Sequence, residues 1–394
     1  MKTIFISFCD SHNLGDLLIV ETLEKNISSH SAVKTFSFDL KPKNMAHYEN
    51  LNVKKNNEHK LKQIYLGHFR KLLIFDILHY IKYKQSIRKY DWKNLENELI
   101  DSDLVIIGGG NTIFGTTKMM SSTDKVLEIM KFVRQKSEAK IFLNSVGIGP
   151  FHSKMQFHNL SKIIEIADYI TVRDKNSLKF IEENKKNVHL TTDPVLFLDK
   201  FKDQSKEHRV IGFSVMDIRL NRMDQQDYFK YISSMVNLVK QLSHKLPDYK
   251  FILFSTDLND YKAVWDVANK LNEYEVEVVE INNFEILKNT YNKMDMCIGA
   301  RMHSLIIAFS QNIPVIGFSW QPKIYGFFEM INKKENVFEI LSISEELDKI
   351  IDLTMSTIHN LDESRQELIN CQNKLYDSQM INDVIINEVK NEQL

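Results

Sequence analysis

The sequence predicts an α/β protein: two Rossmann-like domains with parallel sheets facing a cleft, followed by C-terminal helices. Three observations carry this. Short apolar runs of strand length alternate with helical stretches of roughly 10–15 residues, the pattern of βαβ units and parallel sheets. The alternation stops once, at the polar segment DKFKDQSKEHR (Asp199–Arg209), and then restarts. Several strand-like runs end in small residues and open helices, the junction where open parallel sheets bind ligands. The 394 residues, 43% of them hydrophobic, suffice for two cores. The expected division is residues 1–200, residues 208–352 and a helical extension over 353–394.

In chain order, TIFISF (Thr3–Phe8) is a buried strand, helical sequence runs from Asp16 to about Ser29, and VKTFSF (Val33–Phe38) is a second strand. Residues 41–60 are polar and patternless. Ile64–Tyr83 mixes aromatics with Arg70, Lys71, Asp76 and Lys82, and is expected to be an amphipathic helix packed on the domain or, alternatively, lying at a membrane interface. No stretch reaches the roughly 18 uncharged apolar residues of a spanning helix. DLVIIGGG, AKIFLNSVGIGP, YITVRD and VHLTTDPV are the remaining strands of the first half. Helices are expected over Thr123–Lys136, 155–167 and NSLKFIEEN. The second half reads as strands RVIGFSV, YKFILFSTD, VEVVE, DMCIGA and IPVIGF. Helices are expected between them at 225–246, 258–272, NFEILKNTYNKM and RMHSLIIAFSQN, then at 344–358 and 361–390.

Composition excludes several classes. With a net charge of -1, no global field favours nucleic acid or an anionic membrane, so any anion site must be local. Cys9, Cys297 and Cys371 lie far apart without CxxC spacing, which argues against a disulfide framework or zinc ribbon and suits a reducing cytoplasm. The N-terminus lacks the features of a signal peptide. His, Cys, Asp and Glu nowhere cluster at metal-ligand spacing, so no metal is expected.

The motifs sit at strand ends. NLGD follows the first strand: Gly15 allows close backbone approach, and Asn13 and Asp16 flank a helix start whose N–H groups could meet an anion, or merely cap the helix. GGGNTIFG ends another strand. Gly109, Gly110 and Asn111 suit close approach by a ligand or by another backbone, and the motif matches neither GxGxxG nor a P-loop. SVGIGP repeats this logic more weakly. VRDKNS puts Arg173 and Asp174 after a strand, as a cleft arginine and a helix cap or as a surface pair. TDPV by itself reads as a structural acidic turn.

GARMHS carries the most chemistry. Arg301 stands at a helix start, where the dipole disfavours a cation unless an anion offsets it. His303 shares that turn, with Ser304 beside it. Lys323 and Tyr325, in PVIGFSWQPKIYGFF, are expected to reach the same cleft end, and the aromatic content suits either sugar stacking or core packing.

Taken in order, NLGD, GGGN, SVGIGP, VRDKNS, TDPV and GARMHSLIIAFSQNIPVIGFSWQPK resemble the polysaccharide pyruvyl transferase family over roughly residues 3–330. The resemblance implies a fold like the B-type glycosyltransferases. It also implies transfer of pyruvate from phosphoenolpyruvate, a co-substrate rather than a cofactor, to a sugar, forming a ketal and releasing phosphate. By similarity Arg301 and Arg173 hold the donor, with Ser304 and Lys323 beside them, and His303 moves a proton. Asn13, Gly15, Asp16, Gly109, Gly110, Asn111, Asp174 and Tyr325 would line the acceptor side or the cleft. The expected partner is a sugar or polysaccharide precursor; a lipid-linked one would bring the protein to the inner membrane face. Two other functions fit the residues: a nucleotide-sugar-dependent glycosyltransferase, and a non-catalytic carbohydrate-binding component of envelope assembly.

Overall fold

The computed structural model describes residues 1–46, 51, 73–181, 187–201, 209–221 and 223–392. Two six-stranded parallel sheets organise it. The first contains β1 (Lys2–Ser7), β2 (Ala32–Ser37), β3 (Leu104–Gly108), β4 (Lys140–Val146), β5 (Tyr169–Val172) and β6 (Val188–Leu190), in the order β2-β1-β3-β4-β5-β6. The second contains β7 (Val210–Ser214), β8 (Lys250–Phe254), β9 (Val276–Val278), β10 (Met296–Gly299), β11 (Val315–Ser319) and β12 (Val337–Glu339), in the order β12-β11-β10-β7-β8-β9. The central strands are buried along their whole length because helices cover both faces, which is why LVIIG and VIGFS read as unbroken apolar runs.

Each order reverses direction once, between β1 and β3 in the first sheet and between β7 and β10 in the second. Such switch points leave a crevice at the carboxyl ends of the strands. The two crevices face one another because the helix Leu14–Ser28 packs on the helix Met302–Ser310. Leu14, Leu17 and Leu18 share one apolar core with Leu305, Ile306 and Phe309. At this junction the Leu14 amide donates to the Thr256 carbonyl at 2.9 Å, and Asn13 bridges Asp257.

The last helix, Leu361–Glu392, is no free extension. Arg365 holds Asp295 of the second domain at 2.8 Å. Near its other end Asn382 accepts from Thr171 at 2.7 Å and donates to Ser145 at 3.0 Å, both in the first domain. The chain thus crosses back and ties the two lobes together.

The elements differ from expectation in particulars. The stretch 258–272 is a 3₁₀ turn, Leu258–Asp260, followed by a short helix, Tyr261–Ala268. Helix Trp92–Leu99, capped by Asp91, and the three-residue strand β12 are additions, both too short to carry a readable period. PKIYGFFEM forms a further helix, Pro322–Met330, with proline at its start. Of the expected Ile64–Tyr83 helix, residues 64–72 lie outside the described residues, as do 202–208 of the linker and 182–186 after NSLKFI; Leu73–Arg88 is helical. Among the described residues no helix is long and apolar enough to cross a membrane.

Candidate active site

A cavity of about 210 Å³ opens where the two switch points meet, lined by Asn13, Asp16, Asn111 and Arg173 from the first domain and Thr256, Arg301, His303 and Lys323 from the second. Phe8, Phe114, Met302, Trp320 and Gln321 complete the wall.

His303 enters on the first turn of Met302–Ser310, held against the first turn of Leu14–Ser28. Asn13 caps that latter helix by accepting from Gly15 N at 2.8 Å. Gly15 is what allows the contact: a Cβ there would stand 2.3 Å from His303 Cβ. Alanine normally improves a helix by about 1 kcal/mol over glycine. Gly15→Ala is nevertheless expected to lower turnover by at least about tenfold, because the imidazole must move. Steady-state kinetics on the folded variant test this; wild-type turnover would separate Gly15 from the histidine's position.

The imidazole is bracketed by two carboxylates. Its Nδ1 lies 3.8 Å from Asp16, and its Nε2 lies 3.9 Å from Asp193, beyond hydrogen-bond range. Asp193 is buried and accepts from Arg173 Nη1 at 2.7 Å and from Val195 N at 3.2 Å. Burial pushes its carboxyl up, but the neighbouring His303 and the Arg173 charge outweigh burial and bring it down to about 2. This residue belongs to TDPV, whose acidic turn carried no sequence signal beyond its position after a strand.

Arg301 departs from expectation. Its charge at the helix start is offset by the protein itself: Nε and Nη2 reach Asp260 at 2.5 and 2.6 Å, and Asp257 lies 3.2 Å away. Burial works against the guanidinium charge, yet these carboxylates hold it above the ordinary arginine range. Asp260 also accepts from Asp217 N and Ser255 Oγ, so its two oxygens carry four donors; burial pushes its carboxyl up, while the Arg301 charge and these hydrogen bonds pull it down. Nη1 of Arg301 is left for the cavity. Lys323 stands near Trp320, its ammonium 5.8 Å from the ring centroid. Burial, then repulsion from Arg173, lowers that ammonium to about 8, with Asp16 pulling it the other way.

Four buried polar atoms on this wall make no hydrogen bond: Arg173 Nε, His303 Nε2, Trp320 Nε1 and Gln321 Nε2. Arginine, indole and amide nitrogens are donors only. Leaving such groups unmet costs about 1–3 kcal/mol each, so their convergence fits an acceptor-rich, anionic ligand. Gln321 joins the site only through the strand-to-helix turn, whereas Trp320 is one of the aromatics for which the sequence leaves stacking and core packing both open.

Other expected residues stand elsewhere. Ser304 is buried; its hydroxyl meets Ser214 at 2.8 Å and Thr256 at 3.1 Å, behind the wall, because the first helical turn points it into the sheet. Tyr325 is 38% exposed on the outer side of Pro322–Met330. Two residues on from Lys323, it points nearly the opposite way on a helix. Asp174 caps the short helix Lys175–Leu178, accepting from Ser177 N at 2.8 Å, rather than lining the cavity. Gly109 and Gly110 have φ of 80° and 69°, and a Cβ on Gly109 would stand 2.3 Å from Ile19; they serve a left-handed turn and helix packing. Among the described residues no three His, Cys, Asp or Glu side chains gather as a metal site.

Fold and site together define a two-lobed α/β protein of B-type glycosyltransferase-like architecture with a donor-rich cavity between its switch points, lined by three cationic side chains of which the two arginines already face carboxylates. The chain matches the family model for polysaccharide pyruvyl transferase over residues 13–322 and belongs to that family, a family of enzymes. No curated protein matches it. Among solved structures, it resembles a candidate UDP-N-acetylglucosamine 2-epimerase of Listeria monocytogenes at 13% identity and TM-score 0.58, covering 99% of this chain and 96% of that one. It also resembles the UDP-GlcNAc 2-epimerase of Methanocaldococcus jannaschii at 12% identity and TM-score 0.53, covering 89% and 92% of the two chains. Both likenesses concern the fold alone. The chain spans 57% of its counterpart in the accessory secretory protein 1, 2 and 3 structure of Streptococcus pneumoniae, with 76% of this chain covered, 18% identity and TM-score 0.47.

Proposed function

We propose that the protein transfers pyruvate from phosphoenolpyruvate to two hydroxyls of one sugar in a cell-surface polysaccharide or its precursor. The observation that carries this reading is the convergence of unpaired donors and three cations on one cavity. Phosphoenolpyruvate presents a phosphate and a carboxylate on a small planar frame, and planar guanidinium groups bind such oxygens well. Arg173 Nε, Arg301 Nη1 and Lys323 Nζ are the groups we assign to its charges, with Trp320 and Gln321 donating to remaining oxygens.

The chemistry needs a proton on the enol methylene carbon and the loss of one from each acceptor hydroxyl. The first hydroxyl oxygen bonds to the central carbon as the methylene becomes a methyl. The bond to the phosphate oxygen then breaks, and the second hydroxyl closes the ketal. One hydroxyl proton ends on the methyl group and the other leaves with phosphate. His303 is the group we assign to proton transfer, since one imidazole can both accept and donate a proton; its Nε2 makes no hydrogen bond to the protein, with Asp193 3.9 Å away. A lipid-linked acceptor would bring the protein to the inner membrane face, which vesicle co-sedimentation tests.

The experiment is incubation of the protein with phosphoenolpyruvate and sugar acceptors, following phosphate release and the mass of one pyruvyl ketal. Release of nucleotide from a nucleotide-sugar would instead make it a glycosyltransferase. Donor binding without turnover across acceptors would favour a binding role. Within the assay, the Michaelis constant for phosphoenolpyruvate is expected to rise between about pH 7 and about pH 9, as Lys323 loses its proton above about 8. The sign follows because the cationic form, which holds the anion, exists below that value. Lys323→Arg should flatten the rise; a pH-independent constant in wild type would remove Lys323 from the donor site.

A further inference from the structure

A second cavity, about 220 Å³, lies in the first domain beside the cleft. Phe8 and Phe114 line both cavities, so the two share a wall. Its character is different. Phe8, Phe38, Tyr83 and Phe114 supply aromatic surface, and Met120 stands on the same wall. Phe8 and Phe38 pack tilted against each other, with centroids 4.7 Å apart at 53°. Tyr83 is fixed by donating to the Ser121 carbonyl at 2.6 Å. The charged residue of the wall, Lys125, is already balanced by Asp39 at 3.4 Å and lies over the Tyr90 ring.

We infer that this aromatic cavity is the acceptor subsite and takes one uncharged pyranose ring, the ring that bears the reacting hydroxyls; the inference rests on the pyruvyl-transfer reading. A pyranose has an apolar C–H face, slightly positive, and a rim of hydroxyls. Aromatic rings offer negatively polarised faces to the former. Apolar pockets with a few polar groups bind such amphipathic ligands and fix their orientation. A balanced lysine suits a neutral hydroxylated ring better than a second anion. The two cavities adjoin at Phe8 and Phe114, so a ring seated here lies next to the cleft that holds His303 and the donor groups.

The test uses the full chain, a panel of methyl hexopyranosides, and two variants chosen away from the donor cavity. Met120→Trp fills the pocket, and Phe38→Leu keeps apolar bulk while removing a ring. Saturation-transfer NMR on the wild-type protein should mark the C–H protons of one face of at least one sugar. Both variants should weaken that sugar by about tenfold or more while binding phosphoenolpyruvate within about twofold of wild type by calorimetry. Unchanged sugar affinity in either folded variant overturns the assignment, as does absence of saturation for every sugar at millimolar concentration. If phosphoenolpyruvate fails to bind wild type while sugar binding behaves as stated, the transfer reading falls and the sugar site stands.

Discussion

Replacing His303 with alanine is expected to lower turnover by about 10²–10⁴-fold, the range that positioned acid–base groups supply. Phosphoenolpyruvate affinity should stay within about threefold of wild type, because the cations that hold it come from other residues. The split is informative: kcat falls and donor binding does not. His303 also packs on Gly15, so the variant's melting temperature is measured alongside. A variant that unfolds, or one that turns over at the wild-type rate, would assign the imidazole to the domain contact alone. His303→Gln supports the distinction, since it restores bulk and a polar tip without a group that can carry the proton.

The second large effect concerns stability. Asp193→Ala leaves Arg173, 3% exposed, without the buried carboxylate it hydrogen-bonds, Asp174 at 3.8 Å being the other one in range. Removing one member of a buried ion pair costs about 3–5 kcal/mol. Replacing both together, as Arg173→Met with Asp193→Leu, should cost far less, because no buried charge is stranded. Urea titrations of Arg173→Met, Asp193→Leu and the double variant provide the cycle. Equal loss in the double and single variants would mean the pair is not the unit of stability. The pH dependence has a matching sign. The folded Asp193 carboxyl lies near 2, below its ordinary value of 3.8, so its stabilisation is present above about pH 4 and is lost as pH falls through about 2. That shift is worth about 2 kcal/mol. Asp193→Asn should remove this acid-range component while keeping the side chain's shape.

Much of the site was readable because its residues follow strands. Asn13 and Asp16 after β1, Asn111 after β3, Arg173 after β5 and Arg301 with His303 after β10 all reach one cavity. Glycine signals were harder to apportion. Gly15 and Gly109 both mark close approach, but the neighbour is a histidine at one and an isoleucine at the other. Composition near a glycine cannot say which group arrives.

Ser304 and Tyr325 show where adjacency in sequence misleads. Both neighbour real cavity residues, yet helical geometry turns them to other faces. Asp193 and Asp260 show the reverse. Each is an ordinary acidic residue in a turn, and its importance comes from an arginine 20 or 41 positions away in the chain.

By itself the sequence determined the two α/β halves, the parallel sheets and the strand-end location of the chemistry, because apolar period and glycine turns are local properties. Only the tertiary structure decided which ends of those strands meet, which charges are already neutralised, and which donors are left unpaired. Those depend on the packing of Leu14–Ser28 against Met302–Ser310 and on the last helix crossing between lobes, contacts between residues 70 to more than 200 positions apart that no local pattern encodes.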